Sequence, residues 1–359
     1  MNKLNSPLVG IKVIEFATVL AGPAVGMFLA ELGAEVIKIE PKKNKGDVTR
    51  SWKLKNEDPK HPFSAYYSSV NYGKESLFVN LENAAELEMC RNLIKEADIV
   101  LTNFKSHDAK KYALDFIGIK SLQPSIILGE IKGFNQSERL AYDLVMQAES
   151  GMLSINGLNK DSLCKLPIAF IDLFAAHQLK EGILIALLRQ RYSRKAKHVS
   201  VSLFDSALSS LANQASNWYV AYQNPQAVGM LHPNIAPYGE MFNTKDNKKM
   251  VLAIGNNRQF ERLLDVLNLS NLHEDPHFKE NQERVKNRAI LYNFLKIEIE
   301  KWESLELQNV FNQEGIPGAC VKSIKEVFED EAVRQKILTE EKEGYVLKSY
   351  PSVAFTIKE

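Results

Sequence analysis

Short apolar runs alternate with longer amphipathic stretches through the first half of the chain. Ile11 to Phe16 reads as a buried strand, Gly22-Pro23 follows, and an apolar helix runs from about Ala24 to Leu32. Gly33 stands where a helix end favours a left-handed residue. Val36 to Ile39 is a second strand, so the three pieces form a strand–helix–strand unit, and such units pair their strands in parallel. The rhythm recurs. Strands at Ser76 to Val79, Ala97 to Leu101 and Pro124 to Ile131 alternate with helical periodicity over Ala84 to Glu96 and Leu114 to Leu122. This alternation predicts an α/β fold built on a doubly wound parallel sheet.

A helix opening at Asp172 and reaching about Arg191 comes next. A cleanly alternating strand, Val199 to Leu203, and a long helix from Asp205 towards Tyr222 follow it. Pro225, Pro233 and Pro237 then mark a change of character. Phe242 to Leu269 reads strand–turn–strand–helix around a Lys245-Asp246-Asn247 turn, and residues 284–313 are helical. Gly315-Ile316-Pro317-Gly318 breaks the pattern, and Tyr345 to Phe355 is strand-like. The expected organisation is a large α/β domain over 1–204, a linker helix over 205–225, a smaller α+β domain over 226–318, and a C-terminal return to the large domain over 319–359.

Composition narrows the partners. The chain has 359 residues and a net charge of +1, so nothing points to a nucleic-acid surface. Local basic spots at Lys42, Lys43 and Lys45 suit a small phosphorylated ligand. Met1 to Pro7 lacks the apolar core of a signal peptide, and no apolar run approaches the roughly 18 residues that span a bilayer. Cys90, Cys164 and Cys320 are odd in number and far apart, which fits neither a disulfide framework nor a metal site and suggests a reducing cytoplasm. His273 and His277 are spaced as helical metal ligands are, but Pro276 between them argues against a helix, so no metal is expected.

In an open parallel sheet, ligands bind beyond the carboxyl ends of the strands. The loops there are 18–23, 41–45, 71–74, 103–106 and 132–142, together with the start of the Asp172 helix. Glu40 lies where a nicotinamide-binding fold holds its ribose acid, but Ala21-Gly22-Pro23-Ala24-Val25-Gly26 is not a G-x-G-x-x-G loop, and Pro23 removes an amide donor. Asp172 follows Leu166-Pro167-Ile168-Ala169-Phe170-Ile171 and precedes a helix with Ala175, Ala176, Gly182 and Ala186 on its small face. It reads as a helix N-cap, a position that would also keep a carboxylate ionised.

The whole chain resembles the CaiB/BaiF family, the class III coenzyme A transferases, in which the α-methylacyl-CoA racemases are also found. The matching segments include Leu8 to Glu15, Ala21-Gly22-Pro23, Leu32 to Pro41, Asn71 to Ser76, Ala97-Asp98-Ile99-Val100 with Asn103-Phe104, Tyr142-Asp143 with Gln147-Ala148 and Ser150-Gly151, and Val201 to Asp205. His232-Pro233-Asn234 with Pro237-Tyr238, and Gly255-Asn256-Asn257 with Gln259-Phe260, complete them. The resemblance implies that Asp172 is the acylated nucleophile and that Tyr142 lies near the thioester. It implies that Val19, Leu20, Ala21, Lys74, Asn103 and Phe104 contact coenzyme A, and that Lys105 supplies charge for a phosphate. Gly255, Asn256, Asn257 and Gln259 would form a covering loop. It implies an interlaced homodimer, an acyl-CoA and a carboxylic acid as substrates, and no permanently bound cofactor. Phe104 also reads as core packing and Lys74 as a solvated turn lysine.

Some residues depart from the family pattern. Leu20 replaces a polar side chain, Lys105-Ser106 replaces Arg-Pro, Ser193 to His198 replaces a Gly-x-Gly-Gln turn, and the end at Glu359 omits the usual Leu-Gly-Glu-His-Thr tail. The expected chemistry is covalent: a carboxylate attacks a thioester, an aspartyl anhydride and then an aspartyl thioester form, and an acceptor acid reverses the steps. Racemases need a base on each face of the α-carbon, and Tyr142 and Asn256-Asn257 are neutral where those enzymes carry His and Glu. The alternatives are a racemase or isomerase, or a non-catalytic acyl-CoA-binding protein.

Overall fold

The computed structural model describes residues 6–357. The reading of Met1 to Pro7 lies partly, and that of the end at Glu359 wholly, outside the described residues. The chain divides into two compact units, one made of Ser154–Cys164 and Gln226–Arg334 and the other of the remaining described residues.

The first unit is built on six parallel strands. Their spatial order is Lys74–Val79, Glu35–Pro41, Lys12–Glu15, Ile99–Thr102, Ile127–Lys132, Lys197–Ser202. Two faces of a parallel sheet must both be covered, which is why the central strands Ile99–Thr102 and Ile127–Lys132 are buried almost throughout. Ala21–Glu31 and Phe170–Gln190 cover one face, with Val25, Leu29, Ala175, Leu179 and Ile183 against Val13, Leu101 and Ile127. Glycines allow this close approach: a Cβ at Gly182 would meet Val199 at 2.4 Å. Ala84–Lys95 and Phe116–Leu122 cover the other face through Cys90, Ile94 and Ile119. The chain winds outward one way from the strand Lys12–Glu15, then returns to its other side at Ile99–Thr102. The crevice between the ends of these two strands is the topological switch point, where doubly wound folds bind ligands.

Two expected elements differ. The helix from Asp205 towards Tyr222 is two helices, Leu203–Ser210 and Asn213–Ala221, broken where Ala212 takes a left-handed φ of 47°. The helix expected to open at Asp172 begins at Phe170, with Ala169 as a cap that offers no side chain. In the first unit, Leu338–Lys342 and Tyr345–Ser349 pair as an antiparallel hairpin. The second unit holds a three-stranded antiparallel sheet, Gly318–Cys320, Lys249–Ala253 and Tyr238–Asn243, with its own core around Phe242, Leu263, Leu295 and Phe311.

Candidate active site

The switch point is pinned by one side chain. Asn103, just past Ile99–Thr102, accepts from the Thr18 amide at 3.2 Å and donates to the Thr18 carbonyl at 3.0 Å. This fixes the loop after the first strand, where Val19 holds a φ of 73°. A β-branched residue seldom adopts this conformation, and such strain clusters at functional sites. The Val19 amide donates to Asp47 Oδ2 at 3.1 Å, and Asp47 is buried. Leu20 precedes the helix Ala21–Glu31, whose N-terminus carries neither a side-chain cap nor an acidic residue in its first turn. Pro23 has no N–H and Ala24 donates to the Leu20 carbonyl at 2.8 Å, so the Ala21 and Gly22 amides and the partial positive charge are what suit an anion or a developing oxyanion.

Two cavities meet at Thr18 and Asn103. The smaller, of about 130 Å³, is lined by Thr18–Ala21, Asn103, Ile131–Gly133, Ala141, Tyr142, Asp172 and Leu203. Its only cationic side chain among the described residues is Lys132. The larger, of about 530 Å³, carries Lys42, Lys43 and Lys105 around Phe16, Ile39, Asn103 and Phe104. Thus Val19, Leu20, Ala21, Asn103, Tyr142 and Asp172 come together, and Phe104 and Lys105 lie in the adjoining space. Phe104 does both things the sequence allows, packing on Phe16 at 5.6 Å while lining the cavity.

Lys74 does not join them. It opens a strand with its ammonium fully buried, 2.9 Å from Glu15 Oε2 and donating to the Pro23 carbonyl and Asn71 Oδ1. It is neither a solvated turn lysine nor free to meet a phosphate. Lys38 shares Glu15 at 3.0 Å and adds Asp47 Oδ2 at 3.1 Å. Burial opposes its charge, but Glu15 and Asp47 outweigh burial and raise its pKa. For Lys74 burial wins over Glu15, and its pKa falls to about 7. Gly26 makes room for this cluster: a Cβ there would meet Glu15 Oε2 at 1.7 Å. Glu40 is likewise unavailable to a ribose. Arg50 grips both its oxygens at 2.6 and 2.7 Å, and the Tyr67 hydroxyl donates to it at 2.9 Å. Burial pushes the Glu40 pKa up, but Arg50 more than reverses it, to about 2.

Asp172 is half-buried, third in its helix, and placed in the cleft. Its expected ionisation by the helix end fails for a definite reason. The amides of Ile171 and Asp172 donate instead to Asp143 Oδ2, at 2.7 and 3.3 Å. Burial, then the charge of Asp143, raises the Asp172 pKa to about 7. Tyr66, unmarked in the sequence, stands in the same field. Burial, then the charges of Asp172, Asp143 and Asp47, raise its phenol to about 12, so it is a neutral donor at physiological pH. Tyr142 is exposed at the cleft. Asp47, Tyr66, Lys132 and Asp143 are the residues that sequence reasoning passed over. Lys132, opening the 132–142 loop, and Asp143, inside the Tyr142-Asp143 motif, carried a sequence signal.

The loop 255–259 belongs to the second unit. Asn256 caps the helix Asn257–Val266 through Gln259, the Gln259 side chain accepts from the Gly255 amide at 2.8 Å, and Asn257 Oδ1 accepts from buried Arg284 at 2.7 Å.

Comparison with known proteins bears on this geometry. The sequence profile described as CoA-transferase family III matches residues 8–358. A protein of Agrobacterium fabrum named succinate–glutarate CoA-transferase is 34% identical over 94% of this chain and 85% of its own length. A human protein named succinyl-CoA:glutarate CoA-transferase is 31% identical over 96% of this chain and 78% of its own. The crystal structure of a CAIB/BAIF family protein from Brucella suis, 32% identical, superposes with a TM-score of 0.83 over 98% of this chain and 93% of that one.

Proposed function

We propose, from the premise that the chain belongs to CoA-transferase family III and is a CoA-transferase, that it works through covalent intermediates on Asp172. The observation that carries the proposal is the position of Asp172. It lines a cleft at the switch point with Tyr142, beside a strained loop and an uncapped helix N-terminus. The ionised carboxylate attacks the donor thioester carbonyl, the C–S bond breaks, and the thiolate leaves behind a mixed anhydride. The thiolate attacks the aspartyl carbonyl, the donor acid departs, and an aspartyl thioester remains. An acceptor carboxylate then reverses both steps. Each tetrahedral stage carries an oxyanion, for which the amides opening Ala21–Glu31 are preorganised donors.

The larger cavity suits the nucleotide end of coenzyme A, with Lys42, Lys43 and Lys105 for its phosphates. The acids we infer are short dicarboxylates, the class named in both curated relatives, and Lys132, which pairs with Glu130 at 3.2 Å, is the cation of the cleft that we assign to a second carboxylate. The covering role of Gly255 to Gln259 is a proposal from the resemblance, and a cytoplasmic location is one from the free cysteines Cys90, Cys164 and Cys320. A homodimer is also proposed. Asn213–Ala221 buries none of its residues, and Trp218, Tyr219 and Val220 are 55%, 65% and 74% exposed. Light scattering should give a dimer, and a folded monomer on dilution would contradict this.

The test of activity is incubation with succinyl-CoA and free glutarate in deuterated water. The expected products are glutaryl-CoA and succinate, with no deuterium entering at the α-carbon. Deuterium entry into an α-methylacyl-CoA supplied in a parallel incubation, without transfer, would favour the racemase, and coenzyme A binding with neither would favour a non-catalytic protein. In the same assay, Lys43→Ala and Lys105→Ala should each raise KM by about tenfold or less with kcat little changed, because partly exposed phosphate contacts bind ground and transition states alike. A collapse of kcat at constant KM would refute that placement.

A further inference from the structure

Asp143 takes no part in the steps above, yet it touches the backbone of the residue that does. Its Oδ2 accepts from the amides of Ile171 and Asp172, at 2.7 and 3.3 Å, doing from another helix what Ala169 cannot do as a cap. Its Oδ1 accepts from Gln147 Nε2, and Gln147, itself buried, accepts from the Leu166 amide at 2.9 Å. Thus the segment carrying Tyr142 is bolted to the start of the Asp172 helix at two points. The arrangement is costly. A second carboxylate stands beside the nucleophile and occupies the helix amides that would otherwise favour the nucleophile's charge.

We propose that Asp143 is a positioning residue that drives negative charge off Asp172, favouring its acylated states over its free carboxylate. The inference rests on the reading of Asp172 as the nucleophile. In the free enzyme two carboxylates face one another. When Asp172 attacks, its lone pair forms the new C–O bond, the thioester C–S bond breaks, and the charge leaves on the thiolate. In the anhydride and in the aspartyl thioester Asp172 is neutral, so the repulsion with Asp143 is relieved at every covalent stage. Burial first, and then this repulsion, raise the proton affinity of Asp172 in the resting state. The other ionisable groups around Asp172 are Tyr142 and Lys132 in its cleft and Tyr66, whose phenol feels both carboxylates. Nearby Glu130 is paired with Lys132 at 3.2 Å and Asp47 with Lys38 at 3.1 Å, which leaves Asp143 as the like charge acting on Asp172.

Asp143→Asn keeps an oxygen for the helix amides and removes the charge, at the loss of the bond that Oδ1 accepts from Gln147. The measurement is the rate at which acyl-CoA forms a hydroxylamine-sensitive adduct on Asp172, followed by peptide mass spectrometry across pH 5 to 9. The expected result is a pH midpoint lower than wild type by about one unit, the scale of a neighbouring like charge. The fraction of chain standing as aspartyl thioester should also be smaller. A purely structural role would leave the midpoint in place, and an unchanged midpoint overturns the proposal. Should Asp143→Asn not fold, Asp143→Ser, also neutral and able to accept, carries the same comparison. Absence of any adduct on wild-type Asp172 would instead remove the premise, a result distinct from an adduct whose midpoint ignores position 143.

Discussion

Asp172→Ala should lower turnover by about 10³-fold or more, the scale seen when a covalent nucleophile is removed. Water cannot take its place within a transfer cycle, because the acyl group would be lost to hydrolysis. The fold should survive, since Asp172 caps nothing: Ala169 holds the cap position and Asp143 serves the first amides. Stability should even rise. The Asp172 carboxyl is held near 7 in the fold, above its ordinary value, so its ionisation weighs against the folded state as pH climbs past the ordinary carboxylate range. Asp172→Ala should therefore unfold at the same or higher denaturant concentration at pH 8, with the advantage fading towards pH 4. For the wild type, the same raised pKa puts an acid limb near pH 7 on the acylation rate, because the protonated acid is no nucleophile. A folded Asp172→Ala chain that keeps near-wild-type transfer would sink the covalent reading.

Glu15→Ala should be the most destabilising single change in the large unit. Glu15 is fully buried between Lys38 and Lys74, at 3.0 and 2.9 Å. Removing one partner of a buried ion pair leaves an uncompensated charge, at a cost of about 3–5 kcal/mol. Here two ammonium groups lose the same partner, though Lys38 keeps Asp47 at 3.1 Å. The pH dependence has a definite sign. Wild-type Lys74 takes up its proton near 7 in the fold, below its ordinary value, and without Glu15 it does so only at still lower pH. The unfolded chain is protonated throughout this range, so the deficit against wild type should widen as pH falls below about 7. Denaturant unfolding at pH 8 and pH 6 measures this, and a loss below about 1 kcal/mol would show the cluster to be dispensable. Because Asp47 also holds the Val19 amide, damage to this cluster should reach the active-site loop.

The parallel sheet was legible because its signals are local. Each strand is a short apolar run, each helix has its own period, and their alternation forces the winding that brings Thr18, Asn103, Lys132 and Tyr142 to one edge of the sheet. The place of Asp172 at the start of a small-faced helix lining the cleft agrees with the resemblance. What escaped depends on partners distant in sequence. Nothing near Lys74 says that Glu15 awaits it or that Gly26 clears the space, so it read as a turn lysine. Nothing near Asp172 says that Asp143, on another helix, will take its amides, so the local helix-end argument gave the wrong acidity. The break at Ala212 has neither Gly nor Pro to announce it. A long amphipathic helix was the simpler reading.

Hydroxylamine trapping tests the central claim most directly. Wild-type chain is incubated at pH 8 with acyl-CoA and no acceptor acid, quenched with hydroxylamine, digested, and mapped by mass spectrometry. The account predicts a hydroxamate on Asp172, absent when acyl-CoA is omitted and absent from Asp172→Ala. A hydroxamate at another residue, or none while transfer proceeds at its normal rate, would contradict it.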